Sequence, residues 1–400
     1  MVVVPKTTPG QVRITQDWRD VNKNVEREIH PIPTFEEATD EMDGATVWSK
    51  LDLYKSFHQL PLHPNSRKYA TFSTPRGLRR CTTVVMGFTN ASEILQRTMN
   101  MVLSGLPGVK WIHDDITVYG KTMHEHNEHL VACLDRLKEF NVTLNKEKCV
   151  FGVNTVNFMA MRLSAKGIQP SHQKVEAVKS FKTPETVSDV KSFLGLVNFL
   201  ARFVPNLATM AEPLRLLTRS GRSWIWGDEQ QKSFYQIKAS ISSDTCLAFF
   251  SRNRKTELRV DGSPVGVGAI LCQVQQDGTS RPVAYASRSL SDVERRYSQL
   301  EREALSVKFG CLKFDHYLSG DPGFAVITDH KPLLGLYRPG SRPPPRIERW
   351  ALRIQHLNFH MRYEPGAQNA ADVLSRQPVP PRRAINPSEL ADTRAINTVI

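Results

Sequence analysis

At 400 residues the chain has room for more than one domain with its own core, and its 40% hydrophobic and 23% charged content is ordinary for folded, water-soluble protein. A net charge of +13 points to an anionic partner, nucleic acid foremost. The six cysteines stand singly with no C-x-x-C pair, which argues against a disulfide framework or a cysteine-based zinc site and fits a reducing compartment. No apolar run approaches a membrane span, and the opening MVVVPK is too short for a signal-peptide core.

In chain order, residues 1–30 read as strand, turn and strand, with β-branched Val2, Val3 and Val4 before turn chemistry at 7–10. Lys6 and Arg13 flank that turn, and an ammonium and a guanidinium suit phosphate oxygens. After the His30-Pro31-Ile32-Pro33 boundary, Thr34 followed by Glu37 has capping-box spacing and opens a helix. Leu51 and Leu53 alternate with Asp52, as on a strand whose leucines face a core and whose carboxylate faces the other way. A helix is expected to open at Ser92, with that serine as N-cap, carrying Ile94, Leu95, Thr98, Met99 and Val102 at helical spacing.

The stretch WIHDDITVY, residues 111–119, sets two β-rich runs around Asp114 and Asp115, which predicts a tight hairpin with both carboxylates at its tip. An isolated Asp pair reads as a solvated turn. Beside a strand bearing Asp52, the same pair completes a three-carboxylate set suited to two hard divalent cations, Mg²⁺ above all, and to nucleotidyl transfer. His124, His126 and His129 lack metal-site spacing and read as a polar helix face, and the helix over 124–140 shows Leu130, Leu134 and Leu137 at 3.6-period spacing.

Residues 170–245 read as all-helical, with a helix start at Thr183-Pro184-Glu185 and a second helix carrying Phe234, Ile237 and Ile241. Beyond 246 the character changes. A strand ends in Asp261, and residues 265–271 alternate as in a hairpin. A helix over 297–314 bears Leu300, Ala304, Val307 and Cys311 on one side with Glu303 beside them. Another strand runs into Asp329, and Asp372 sits in a short apolar stretch.

The motifs VRITQDWRDVNK, WSKLDLYKSFHQLPL, YATFSTPRGL, GFTNASEILQRTMN, IHDDITVYGKT, LNKEKCVFG and KSFLGLVNFLARFVPN, then RVDGSPVGVGAIL, YSQLEREALSV, ITDHKPLLGL and GAQNAADVLSR, follow one another in order. Taken in series they resemble the pol region of gypsy-class LTR retrotransposons and retroviruses, a reverse transcriptase followed by ribonuclease H. The resemblance implies an α+β multidomain chain: right-hand polymerase fingers and palm over 1–169, a helical thumb or connection over 170–245, an α/β ribonuclease H-like domain over 246–376 and a flexible tail over 377–400.

It also implies roles. Asp52, Asp114 and Asp115 would be catalytic and hold Mg²⁺, or Mn²⁺ in its place. Lys6, Arg13, Phe57, Met86 and Gly87 would hold the incoming deoxynucleoside triphosphate. Gln96 and Arg97 would face the template and primer, and Phe158, Met159 and Ala160 would grip the primer, with Ala160 standing where the family has glycine. Asp261, Glu303, Asp329 and Asp372 would form a second metal-holding catalytic set that cuts RNA. The implied partners are an RNA template, a DNA primer, RNA–DNA hybrid and deoxynucleoside triphosphates, with no membrane. The implied location is a cytoplasmic virus-like particle with access to the nucleus.

Ser56, Ser92 and Ile112 depart from the family's usual Gly, Pro and aromatic residue. The family has more fingers sequence ahead of this start, so the alternative expectation is a polymerase-defective remnant that keeps hybrid binding and nuclease activity.

Overall fold

A computed structural model describes residues 2–5, 12–243, 245–338 and 340–365. The chain divides into two compact units: Met1–Phe203 with Lys238–Lys255 and Gln273–Val283, and Val204–Ile237 with Thr256–Cys272 and Ala284–Ile400. The helical stretch expected over 170–245 is therefore shared between them.

The first unit opens with β1 (Val2–Pro5) paired antiparallel to β2 (Val12–Thr15), then α1 (Arg19–Asn22) and α2 (Phe35–Thr39). The capping box is complete: Glu37 N–H donates to Thr34 Oγ1 at 3.3 Å, and Thr34 N–H donates to Glu37 Oε2 at 2.7 Å. Next come β3 (Val47–Asp52), the β4 (Thr71–Thr74) and β5 (Gly77–Arg80) hairpin, α3 (Ala91–Leu103), β6 (Val109–Ile112), β7 (Asp115–Gly120) and α4 (Met123–Glu139). With β8 (Val150–Val153) they form a four-stranded sheet in the order β6-β7-β3-β8. Leu51 and Leu53 enter a core with Leu95, Met99, Ile116, Val118 and Leu137, which leaves Asp52 on the other face of β3.

Two local expectations change, and one departure from the family strains nothing. Helix α3 begins at Ala91 with Asn90 as N-cap, so Ser92 lies inside its first turn; the Asn90 side chain instead donates to the Glu26 carbonyl at 2.8 Å. Two of the three histidines of α4 are not on a solvated face, while His124 is exposed. His126 is buried with Nε2 2.8 Å from Ser49 Oγ, and His129 Nδ1 lies 2.8 Å from the Tyr119 carbonyl. The helix packs that closely because Gly120 has no side chain; a Cβ there would lie 2.5 Å from the His126 nitrogen. Lastly, Ser56 sits outside the left-handed region, and the positive φ of that turn falls on Lys55, so the loss of glycine at 56 strains nothing.

A three-stranded sheet follows, with β9 (Thr155–Phe158), β10 (Met161–Ser164) and β11 (Gly167–Pro170) in the order β11-β10-β9. Phe158 pairs with Met161, so Met159 and Ala160 alone make the turn, at φ 48° and 60°. Two consecutive left-handed residues are what a two-residue hairpin of this hand demands, and L side chains resist it. Ala160→Gly is expected to stabilise the unit by about 1 kcal/mol, raising its thermal midpoint by ~2–4 °C. An unchanged or lowered midpoint in a melt would show that the turn carries no such strain.

Helices α5 (His172–Lys179) and α6 (Val187–Phe199) come next. Helix α6 starts later than the Thr183-Pro184 signal suggests, because Thr186 and Asp189 form a capping box of their own.

The second unit holds α7 (Leu207–Met210) and α8 (Glu212–Leu216); α9 (Asp228–Ser242) begins there and crosses the boundary. There follow β12 (Thr256–Gly262), β13 (Gly266–Val274), β14 (Ser280–Ser289), α10 (Gln299–Lys313), α11 (Asp315–Leu318), β15 (Phe324–Thr328), α12 (Leu333–Leu336), α13 (Pro345–Leu352) and β16 (Phe359–Tyr363). The strand order is β14-β13-β12-β15-β16, with β12, β15 and β16 parallel. Parallel neighbours need a crossover, which α10 provides between β12 and β15. The carboxyl ends of β12 and β15 therefore emerge side by side at one edge of the sheet, the usual place for a site in such folds.

Candidate active sites

At that edge Asp261 is the penultimate residue of β12, Asp329 follows β15, and Glu303 reaches across from α10. Their carboxylate oxygens lie within 4.8 Å of one another, the one such set of three His, Cys, Asp or Glu side chains among the described residues. Gly262 makes the approach possible: a Cβ there would sit 2.8 Å from the Arg302 carbonyl. Gln299, one helical turn before Glu303, donates to its Oε1 at 2.6 Å, while Glu303 Oε2 is buried without a hydrogen-bond partner.

Burial, then the charges of Asp261 and Asp329, push the Glu303 carboxyl up to about 8 against the pull of Gln299 and the Gly262 N–H. Three oxygen donors, mutual repulsion and an orphaned buried oxygen suit a hard divalent cation. Asp372, the fourth expected member, lies outside the described residues.

The raised value has a stability consequence. The folded chain keeps a proton that the unfolded chain releases, so without a cation stability falls as pH climbs from about 4.5 to about 8. Glu303→Gln should remove that slope and stabilise the chelated protein near pH 8 by on the order of 2 kcal/mol. Denaturant melts near pH 5 and pH 8 in chelator measure it, and a slope equal to wild type would refute it.

The first unit carries the other acidic set. Asp52 and Asp115 are direct partners across β3 and β7. The hairpin turn is His113-Asp114, with Ile112 opposite Asp115, so Asp115 belongs to the strand and not to the tip. A one-residue shift from the expected break places Asp114 alone at the tip, next to His113 at φ 54°.

The three carboxylates are looser than the second cluster, and lysines hold two of them. Lys50 Nζ donates to Asp115 Oδ2 at 2.9 Å, and Lys148 Nζ lies 3.2 Å from Asp52 Oδ1. Burial raises the Asp115 pKa, Lys50 opposes that, and Asp114 adds to it. The sequence reading missed both lysines, although Lys50 had a signal, since it shares a strand face with Asp52 two residues on. Lys148 carried no signal.

Of the residues expected to face nucleic acid, Gln96 does not. It is fully buried, and its Oε1 accepts the His113 N–H at 2.7 Å while its Nε2 donates to Asn100 Oδ1 at 3.1 Å. Its amide pins the hairpin tip to α3, a positioning role that helical spacing alone could not reveal. Arg97 is exposed and pairs with Glu28.

Phe57 is half-buried against the core of the four-stranded sheet. Met86 is 43% exposed, and Gly87 takes φ 99° with its carbonyl accepting from Asn22 Nδ2 at 2.9 Å. Arg13 lies in β2, and Lys6 lies outside the described residues. Phe158 is buried, and the Met159 N–H helps to lower the Asp115 carboxyl, so the β9–β10 turn abuts the first acidic set.

The fold and the two acidic sets define a chain with a polymerase-type palm and a nuclease-type α/β sheet. Residues 4–163 match the family described as reverse transcriptase (RNA-dependent DNA polymerase), and residues 251–357 match the RNase H-like domain found in reverse transcriptase. The Transposon Tf2-3 polyprotein of Schizosaccharomyces pombe is 32% identical over 391 residues, 95% of this chain and 29% of that protein. The Transposon Tf2-7 polyprotein of the same organism is 32% identical over 394 residues. The chain thus spans 29% of the length of these curated relatives.

Among solved structures, the foamy viral protease-reverse transcriptase in complex with dsDNA is similar in fold, with TM-score 0.79, 22% identity, 90% of this chain and 76% of that chain covered. The same enzyme in complex with RNA/DNA hybrid gives TM-score 0.75 at 21% identity, over 90% of this chain and 49% of that one. The chain therefore carries a reverse transcriptase domain followed by an RNase H-like domain, and over 95% of its length it is similar to retrotransposon polyproteins.

Proposed function

We propose that the chain extends a DNA primer on an RNA template from deoxynucleoside triphosphates and hydrolyses the RNA strand of RNA–DNA hybrids, with Mg²⁺ as the working cation and Mn²⁺ as a substitute. The observation that carries this reading is the Asp261–Glu303–Asp329 convergence at the carboxyl edge of a parallel sheet. The Asp52–Asp115 pairing in the other unit supports the polymerase half.

Bound divalent ions supply charge stabilisation and an activated oxygen nucleophile in both reactions. The chain's own residues do the rest. Asp261, Glu303 and Asp329 hold one cation set, with Gln299 fixing the Glu303 carboxylate; Asp372 is assigned to the same set. Asp52, Asp114 and Asp115 hold the other, with Gln96 orienting the tip through the His113 N–H.

Lys6, Arg13, Phe57, Met86 and Gly87 are assigned to the nucleotide, Arg97 to the template and primer, and Phe158, Met159 and Ala160 to the primer. The polymerase-defective alternative is not favoured, since the reverse transcriptase match spans all three palm carboxylates. We place the activity inside the cell, in the cytoplasmic particle and the nucleus; six free thiols agree with a reducing setting. Primer extension on poly(rA)/oligo(dT) with Mg²⁺, and cleavage of a labelled hybrid, test the two halves. Absence of both with correctly folded protein refutes the reading.

A further inference from the structure

A cavity of about 280 Å³ in the second unit is lined by Tyr297, Lys308, Arg346, Arg349, Trp350 and Arg353. Four of the six are cations, and none is an acid. Arg346, Arg349 and Arg353 recur at helical spacing along and just beyond α13, so they share a face. Lys308 comes from α10, which packs against α13.

The aromatic rings form the floor. Tyr297 and Trp350 lie 5.8 Å apart between centroids, the Arg346 guanidinium stands 4.4 Å over Tyr297, and Lys308 Nζ stands 5.7 Å over Trp350. Ring faces hold cations in place without neutralising them.

Arg346 is paired with Glu301 at 2.5 Å, but among the described residues no carboxylate lies within 4.0 Å of Lys308, Arg349 or Arg353. Burial, then Arg353 and Arg288, lower the Lys308 pKa, with Glu294 acting the other way. Gathering like charges over aromatic rings is costly unless an anion completes the site. Trp350 is only 9% exposed, so an entering ligand meets the cations and not a stacking platform. That favours a phosphate over a base, and recognition independent of sequence.

We propose that this α10–α13 pocket is a phosphodiester subsite that holds the backbone of one nucleic-acid strand on the nuclease unit. The proposal rests on the function above and adds a grip outside its acidic cluster. Lys308 lies five residues beyond Glu303 on the same helix, about 7.5 Å along the axis and about 140° around it, so the pocket is on a face apart from the acidic cluster.

The experiment measures equilibrium binding of RNA–DNA hybrid to the full chain by fluorescence anisotropy in chelator, from about 50 to 200 mM salt. Arg349→Glu/Arg353→Glu, at two exposed positions, is expected to weaken binding at least ~tenfold and to flatten the log K against log salt slope by about 2. Lys308→Gln should flatten it by about 1, and Lys308→Arg should restore it.

Affinities within about twofold of wild type with unchanged slopes overturn the proposal. If the double variant does not fold, Lys308→Gln decides by the same criterion. Because no chemistry is read, a wild type that neither cuts nor extends refutes the proposed function while the binding comparison still judges the subsite.

Discussion

Asp329→Asn is expected to abolish RNA hydrolysis while leaving primer extension within about twofold of wild type. The carboxylate stands at the carboxyl end of β15 within 4.8 Å of its two partners, so the amide removes one donor and one charge from the set. Losing a principal ligand should cost at least about a thousandfold in cleavage rate, equivalent to about 4 kcal/mol in the barrier. The substitution is isosteric and relieves repulsion on Glu303, so the melt of the chelated protein should not fall. Labelled hybrid and primer-extension assays on one preparation read both activities. Cleavage within tenfold of wild type, or a parallel loss of extension, would contradict the assignment of separate sites.

The converse variant, Asp115→Asn, should silence DNA synthesis by a similar factor and spare hydrolysis. Asp115 faces Asp52 across the sheet and is held by Lys50, so its side chain is already positioned toward the acidic set. Removing its charge leaves Lys50 near a neutral amide, but burial outweighs Lys50 at this carboxyl, so the melt of the chelated protein should not fall. A Lys50→Met variant controls for the lost ion pair. If Asp115→Asn still extends primers at a tenth of the wild-type rate, the carboxylate is a structural partner of Lys50 and not a cation ligand.

Much of this was legible from residues alone. The alternation around Asp52, the Thr34–Glu37 box and the helical stripes of α4, α9 and α10 all reported their elements, because one face of each meets a core. Strands running into Asp261 and Asp329 announced the edge where they meet. The misses have physical causes. The Asp114–Asp115 pair looks like a turn by composition, yet pairing with Ile112 takes Asp115 into the strand. Gln96 lies at a helical position where polarity suggests solvent, but it turns inward to meet a backbone amide that only tertiary structure brings near. The α10–α13 cations stood in the sequence as ordinary surface charge. Their convergence depends on Trp350 of α13 meeting Tyr297, which lies just ahead of α10.

The antiparallel ladder that sets Asp52 opposite Asp115, Lys50 opposite Thr117 and Trp48 opposite Tyr119 has an evolutionary corollary. Side chains on a strand change sides with every residue, so a single in-frame codon inserted between Trp48 and Asp52 would send the acid into the oily interior and a leucine out to water. Distance along that short segment is thus constrained more tightly than the identity of the letters between. The exposed β4–β5 tip, by contrast, can absorb a change of length.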